Sequence, residues 1–371
     1  MKKIGILTWY NHGNYGSALQ AFALLRYIRV SGYEAEIISY TSWRRKVVQR
    51  IRPINLIKRS IKKLLARISG VISNKMHRYC DNFHYFYSKY YVFSSECDTL
   101  SIKKVANKYD AIIVGSDQVW SPASFDKAYL LNFCDSKNTR KIAYAPSIGL
   151  SKIPNELVNE YKSLLKDFSV VTVRENQASY LIQKLGLTKP SVVIDPALLL
   201  DSSYYRSIMR PINILKKPFA FCYFLPSRIN YIDRVVEYCK KQNLQMVGIS
   251  KNSKDDYQWM TNVSWAGPLE FLWLIDNASV VLTNSYHGTL FSLLFQTPFF
   301  TFDRFENEDT KSENSRIEHI KELYELNSCI LGITDSIPLE YNYDFNKFAQ
   351  KLEEEREFSK TILFSALTTL K

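Results

Sequence analysis

Cysteine is scarce and unpatterned in this 371-residue chain. Its six residues, Cys80, Cys97, Cys134, Cys222, Cys239 and Cys329, form no Cys-x-x-Cys pair and have no histidine at metal-ligand spacing. That spacing argues against a disulfide scaffold or a zinc module, and predicts reduced thiols, mostly in cores, in a cytoplasmic protein with no metal site. No apolar run approaches the roughly 20 residues of a membrane span. The opening MKKIGILTWYNHGNYG carries two lysines, but Trp9, Tyr10, Asn11 and His12 break its apolar run, unlike a secretory signal. The chain also lacks a GxGxxG dinucleotide loop, internal repeats and low-complexity tracts, and it has only five histidines.

What is present suits two globular domains. The length exceeds one ordinary core and fits two units of roughly 150 to 200 residues. With 46% hydrophobic and 14% aromatic residues, both can be filled. The net charge of +13 is concentrated: between Arg44 and Arg78 stand twelve Lys or Arg and no Asp or Glu, leaving 37 basic against 36 acidic residues elsewhere. Within residues 44–79, Ile54, Ile57, Ile61, Leu64, Leu65, Ile68 and Ile72 fall at helical spacing, with Lys58, Arg59, Lys62, Lys63 and Arg67 between them. Such a helix suits the headgroup boundary of an anionic bilayer, which would put the protein at the inner face of the membrane as a peripheral component. A surface helix with a solvated basic face fits the same pattern. No nucleic-acid motif accompanies the charge, so no nucleic-acid partner is expected.

Elsewhere strand and helix patterns alternate. Short apolar strands are predicted at residues 3–9, 34–40, 110–116, 141–147, 169–175 and 191–195, with helices at 17–30, 155–168 and 175–186. A second series follows a join near 200–215: strands FAFCYFL, LQMVGIS, SVVLTN and FFTFDR, with helices PLEFLWLIDNA, GTLFSLLFQ and RIEHIKELYEL. Near-continuous Val, Ile and Ala runs fit parallel strands covered on both faces. The expected fold class is α/β, with two Rossmann-like doubly wound domains and a cleft between the carboxyl ends of their strands, an architecture common among glycosyltransferases. The boundaries read as 1–205, 206–345 and a terminal helix at 346–371.

Four loops at strand ends invite chemistry. In NHGNYGSALQ, Gly13 and Gly16 permit tight turns, Ser17 could cap the next helix, and helix-start amides can hold a phosphate, carboxylate or sugar hydroxyl. In VGSDQVW, Asp117 and Gln118 offer sugar-type hydrogen bonds, the Asp117 carboxylate could also act catalytically by taking a proton from an attacking hydroxyl, and Trp120 offers a stacking face, unless Asp117 only caps a turn and Trp120 fills a core. Arg174 closes the apolar strand VTVRE, where a buried guanidinium must meet an anion, either a ligand or a side chain such as Glu175. In TNSYHGTL, His287 sits where strand gives way to helix and can move a proton near neutral pH, with Gly288 allowing close backbone approach. Taken alone, such a histidine is as readily structural; its company at four strand ends favours a site.

GNYGSALQAFAL, YDAIIVGSDQVW, VTVRENQASYLIQKLG, VVIDPALLL, TNSYHGTLFSLLFQTPFF and SENSRIEHI, in that order, resemble the polysaccharide pyruvyl transferase family across residues 3–330. The resemblance implies a two-domain fold of the glycosyltransferase B type, phosphoenolpyruvate as co-substrate, no further cofactor, and a cyclic pyruvate ketal formed across two hydroxyls of a sugar in a capsular or exopolysaccharide. It implies His287 as general acid and Arg174 as donor ligand, with Asn284, Ser285 and Gly288 beside the donor. Asp117, Asn14, Tyr15, Gln118 and Trp120 would then face the acceptor, a sugar carried on a lipid such as polyprenyl diphosphate. The first domain becomes the acceptor side and the second the donor side. Several family members carry arginine two residues before the histidine, where this chain has Ser285; Arg316 and then Arg304 are the candidates to supply that charge. Two other functions share these features: a nucleotide-sugar glycosyltransferase, and a non-catalytic glycan-binding paralogue.

Overall fold

The computed structural model describes residues 1–11, 13–42, 73–213, 218–227, 231–249, 260–305 and 314–368. The segment read as a basic amphipathic helix, 44–79, falls almost wholly outside them.

Among the described residues, fourteen strands build two parallel sheets and a small ladder. β1 (Lys3–Leu7), β2 (Glu34–Ile37), β5 (Ala111–Val114), β6 (Arg140–Ala143), β7 (Val170–Val173) and β8 (Ser191–Val192) form the first sheet, in the order β2-β1-β5-β6-β7-β8. β9 (Phe219–Tyr223), β10 (Gln245–Gly248), β11 (Met260–Asn262), β12 (Val280–Thr283), β13 (Phe299–Phe302) and β14 (Ile330–Leu331) form the second, ordered β11-β10-β9-β12-β13-β14. β3 (Tyr40–Thr41) pairs with β4 (Cys97–Asp98). Every residue of AIIV in β5, VVLT in β12 and FFTF in β13 is buried. Helices on both faces account for that, since βαβ crossovers cover each side of a parallel sheet.

Two helices matter most for the site. α1 (Tyr15–Val30) begins at Asn14, whose side chain accepts from the amides of Gly16 and Ser17, so Asn14 is the cap rather than Ser17. The helix from Tyr286 to Phe295 begins at Ser285, whose hydroxyl accepts from Gly288 N, and ends at Gln296 in the left-handed region. All ten of its residues are buried, as expected of a helix apolar all round. Gly288 therefore serves packing rather than a ligand: an added Cβ would lie 2.8 Å from Thr283 Oγ1, on the strand behind.

The two halves meet through aromatic contacts. Tyr15, expected at the acceptor, is fully buried; it stacks on Phe271 at 4.5 Å and donates to the Ala266 carbonyl at 2.7 Å. Its ring is thus spent on the seam between the sheets. α2 (Ser73–Tyr90) braces the same seam: Tyr79 and Tyr87 donate to the carbonyls of Gly13 and Tyr10 in the loop after β1, and Asn82 donates to the Trp265 carbonyl. The terminal helix, Phe345–Thr368, returns to the first half, where Ser359 accepts from Ile194 N and Arg356 donates to the Leu198 carbonyl. All six cysteines are free, and five are buried. Among the described residues no helix is long and apolar enough to cross a membrane.

Candidate functional site

Strand order locates the site. In the first sheet the order reverses between β1 and β5, and in the second between β9 and β12; ligands of doubly wound sheets sit outside the carboxyl ends at such reversals. A cleft of about 280 Å³ is lined by the loops following those four strands: Trp9, Asn14 and Ser17 after β1, Asp117 and Gln118 after β5, Leu225 and Pro226 after β9, and Asn284 to His287 after β12. Arg304 and Arg316 complete the wall. The two reversal points therefore face one another across one space.

On one side, His287 leans over a buried ion pair. Its Nε2 lies 3.5 Å from Asp195 Oδ2, and Asp195 accepts from Arg174 Nη1 at 2.6 Å, with neither partner's side chain exposed. Asp195 also caps the short turn Pro196–Leu198 through Ala197 N, which fixes the carboxylate. Burial opposes its charge, but the adjoining His287 and Arg174 outweigh that and hold the carboxyl well below the usual carboxylate range. The anion that Arg174 meets is thus Asp195. Glu175 is engaged elsewhere, accepting from Ser147 and the amides of Ile148 and Gly149. The imidazole has space only because residue 16 is glycine: a Cβ there would come within 2.0 Å of His287 Nδ1.

Opposite, Asp117 is 5% exposed and holds a left-handed backbone at φ 68, a conformation a non-glycine residue keeps only under constraint. Its Oδ2 accepts from Ser17 Oγ at 2.5 Å and its Oδ1 from Gln118 N at 2.8 Å. The carboxylate is thereby fixed at the cleft wall with Ser17 attached.

Trp120, expected to stack on a sugar, is only 1% exposed; its indole donates to the Tyr129 carbonyl and its ring abuts Phe168. It fills the core; the aromatic residues that line the cleft are Trp9, Tyr286, Phe302 and Phe305. Asn284 lines the cleft but spends its amide on both backbone groups of Leu225. Ser285 lines it as the helix cap. Arg304 and Arg316, the candidates for the charge absent at Ser285, both line the cleft, Arg316 at 5.7 Å from the Tyr286 ring. Arg174 borders a second cavity instead, as does Asp195, which links it to His287 in the cleft at 3.5 Å.

Asp195, Ser17 and Trp9 are functional candidates that the sequence reading passed over. A signal existed for Asp195, since an acidic residue closes the apolar run SVVID as Arg174 closes VTVR. None existed for Ser17, whose partner lies 100 residues away.

His319, on the second cavity's wall, supplies a pH test. Burial pushes its pKa down from 6.5 to about 4. The unfolded chain then binds this proton more readily than the fold, so stability is full above about pH 6.5 and falls as pH drops toward 4, by on the order of 3 kcal/mol. Urea unfolding between pH 7 and 4.5 should show that loss in the wild type and a smaller one in His319→Gln; parallel losses would refute it.

This architecture, two facing Rossmann-like sheets with the site between their carboxyl ends, is the glycosyltransferase B fold. It is shared with solved UDP-sugar enzymes. A UDP-GlcNAc 2-epimerase of Methanocaldococcus jannaschii, in complex with UDP-GlcNAc and UDP, superposes with a TM-score of 0.51 at 13% identity, covering 96% of this chain and 93% of that one. The S. aureus MnaA–UDP co-structure gives 0.53 at 13% identity, covering 98% and 91%. The family model for polysaccharide pyruvyl transferase matches residues 14–306, and the chain belongs to that family, which makes it a transferase of polysaccharide biosynthesis. No curated protein matches the sequence.

Proposed function

We propose that the cleft transfers the pyruvyl unit of phosphoenolpyruvate onto two hydroxyls of one sugar as a cyclic ketal, releasing phosphate. The observation that carries this reading is the pairing, across one cleft, of His287 braced by a buried carboxylate with Asp117 held by Ser17.

The steps need both sides. His287, as imidazolium, protonates the methylene carbon of the donor, and positive charge develops at C2. One sugar hydroxyl adds to C2 and gives its proton to Asp117. The second hydroxyl displaces the phosphate and closes the ring; its proton leaves with the phosphate. Asp195 stabilises the imidazolium and sets its orientation, with Arg174 acting through Asp195. Arg316 and Arg304 offer charge to the donor's phosphate and carboxylate, replacing the arginine absent at Ser285. Trp9 gives the sugar an apolar face, with Asn14 and Gln118 at its edge.

The acceptor on this reading is a capsular or exopolysaccharide repeat unit on polyprenyl diphosphate at the cytoplasmic face. The twelve basic residues between Arg44 and Arg78 support it, since an acid-free cationic run suits an anionic leaflet.

Thermal unfolding with phosphoenolpyruvate tests the donor, and phosphate release tests turnover. The midpoint should rise with phosphoenolpyruvate, and the rise should shrink in Arg316→Ala. Phosphate release should require a sugar and be faster with a lipid-linked acceptor on anionic vesicles than with the free sugar. Protection by a nucleoside diphosphate and not by phosphoenolpyruvate would replace this reading with a nucleotide-sugar transferase. Binding without turnover on any acceptor would point to a glycan-binding paralogue.

A further inference from the structure

The outer face of α2 carries cations laid over tyrosines. Lys89 donates to the Tyr85 hydroxyl at 3.1 Å and stands 5.3 Å from the centre of the Tyr90 ring. Arg210 lies 4.1 Å over the same Tyr85 ring. Phe22 of α1, buried beneath, packs against Tyr90 at 5.4 Å and Tyr204 at 6.1 Å. Arg26, one turn further along α1, covers the Tyr204 ring at 5.3 Å. Three tyrosines and three cations thus make one continuous surface across α1, α2 and the short helix Ser202–Ile208.

The charge of this surface is not cancelled locally. α1 contains no Asp or Glu, and α2 contains only Asp81. Arg210 is matched by Glu270 at 3.2 Å, but Arg26 and Lys89 are exposed and meet no carboxylate among the described residues. The acid-free basic run that begins at Arg44 ends at Arg78, inside α2, so the same helix continues it. Tyrosines edged with cations suit the headgroup layer of an anionic bilayer: the ring body is apolar, its hydroxyl stays wet, and Lys and Arg reach lipid phosphates. A sugar chain would need bare ring faces for stacking, and here cations cover them. Position favours the same partner. Tyr79 and Tyr87 of α2 hold the loop carrying Tyr10 and Gly13, whose neighbours Trp9 and Asn14 line the cleft.

We propose that the tyrosine and cation face of α1 and α2 docks on an anionic membrane surface, with Arg26 and Lys89 as its uncompensated charges and Tyr85, Tyr90 and Tyr204 at headgroup depth. Docked so, the loop after β1 lies beside the leaflet, and an acceptor carried on a lipid enters the cleft from that side. This rests on the lipid-linked reading of the acceptor and extends it from a charged stretch of sequence to a surface of the fold.

Sedimentation of the full chain with phosphatidylcholine vesicles, with and without phosphatidylglycerol, tests it. Binding is expected only with the anionic lipid. It should fall about thirtyfold in the double variant Arg26→Gln, Lys89→Gln, at about fivefold for each cation removed from the surface. A second double variant, Lys103→Gln, Lys104→Gln, removes two charges from the helix Ile102–Ala106, which packs on the opposite face of the first sheet. Its binding should stay within about twofold of wild type, since salt screens charges held that far from the lipid. Equal losses in both variants would reduce the attraction to net charge, and undiminished binding in Arg26→Gln, Lys89→Gln would move the contact off this face; either overturns the proposal. Binding to polygalacturonate and not to vesicles overturns it too, and makes the face a site for acidic glycan. If the wild type binds no vesicle, docking is refuted, while ketal transfer is judged separately by phosphate release with the free sugar.

Discussion

His287→Ala is expected to cut turnover by about a thousandfold while leaving phosphoenolpyruvate affinity within a few fold, the middle of the range for a lost general acid. Protonating the methylene carbon is the step that makes C2 electrophilic, and among the described residues lining the cleft only His287 combines an imidazole with a carboxylate behind it. On the proposed mechanism the donor's own charges fall to Arg304 and Arg316, so binding should outlast the loss of the ring. Steady-state phosphate release gives the rate, and the midpoint shift with phosphoenolpyruvate gives the affinity. Wild-type turnover in the variant would remove His287 from the chemistry. Loss of both readouts together would make it a structural residue.

Asp195→Asn should destabilise the fold by about 3–5 kcal/mol, the usual consequence of leaving one buried charge without its partner. Arg174 is 1% exposed and cannot turn to water once its 2.6 Å partner is neutralised. Urea unfolding measures the loss directly, and a change under about 1 kcal/mol would mean that the pair is not a true ion pair. A second variant separates stability from positioning. Asp195→Leu combined with Arg174→Met replaces the pair by apolar groups and should recover much of the stability. It should still turn over poorly, because His287 has lost its carboxylate. A stable, fully active double variant would confine Asp195 to holding the fold.

Much of the architecture was legible because parallel strands buried on both faces are spelled out as apolar runs. KIGIL, AIIV, VVTV and VVLT could hardly be anything else, and their ends were read only a few residues too long. β11 and β14 escaped because two or three residues at a sheet edge carry no periodicity. In α2 the apolar face is aromatic, and the run of basic residues preceding it drew attention to charge instead. Within the site, His287, Asp117, Gln118 and Asn14 were found because strand-end loops point to them and they do meet in one cleft. Trp120 and Tyr15 misled because a ring beside such a loop looks the same in sequence whether it turns toward ligand or core. Asp195, Ser17 and Trp9 depend on partners brought close only by folding.

The contact between Gly16 and His287 reaches beyond catalysis. The His287 ring belongs to the second half, while the carboxylate beside it, the opposing Asp117 and the bare backbone it rests on belong to the first. On the proposed mechanism, neither half therefore inherits a working centre alone. A chimera that grafts the second half of one relative onto the first half of another must keep three matched features: a side-chain-free step at position 16, a carboxylate at 195, and the arginine that anchors it. With Trp9, Asn14 and Gln118 holding the acceptor as proposed, acceptor preference would drift without touching those features, so recombination between relatives would be constrained at the seam and free at the rim.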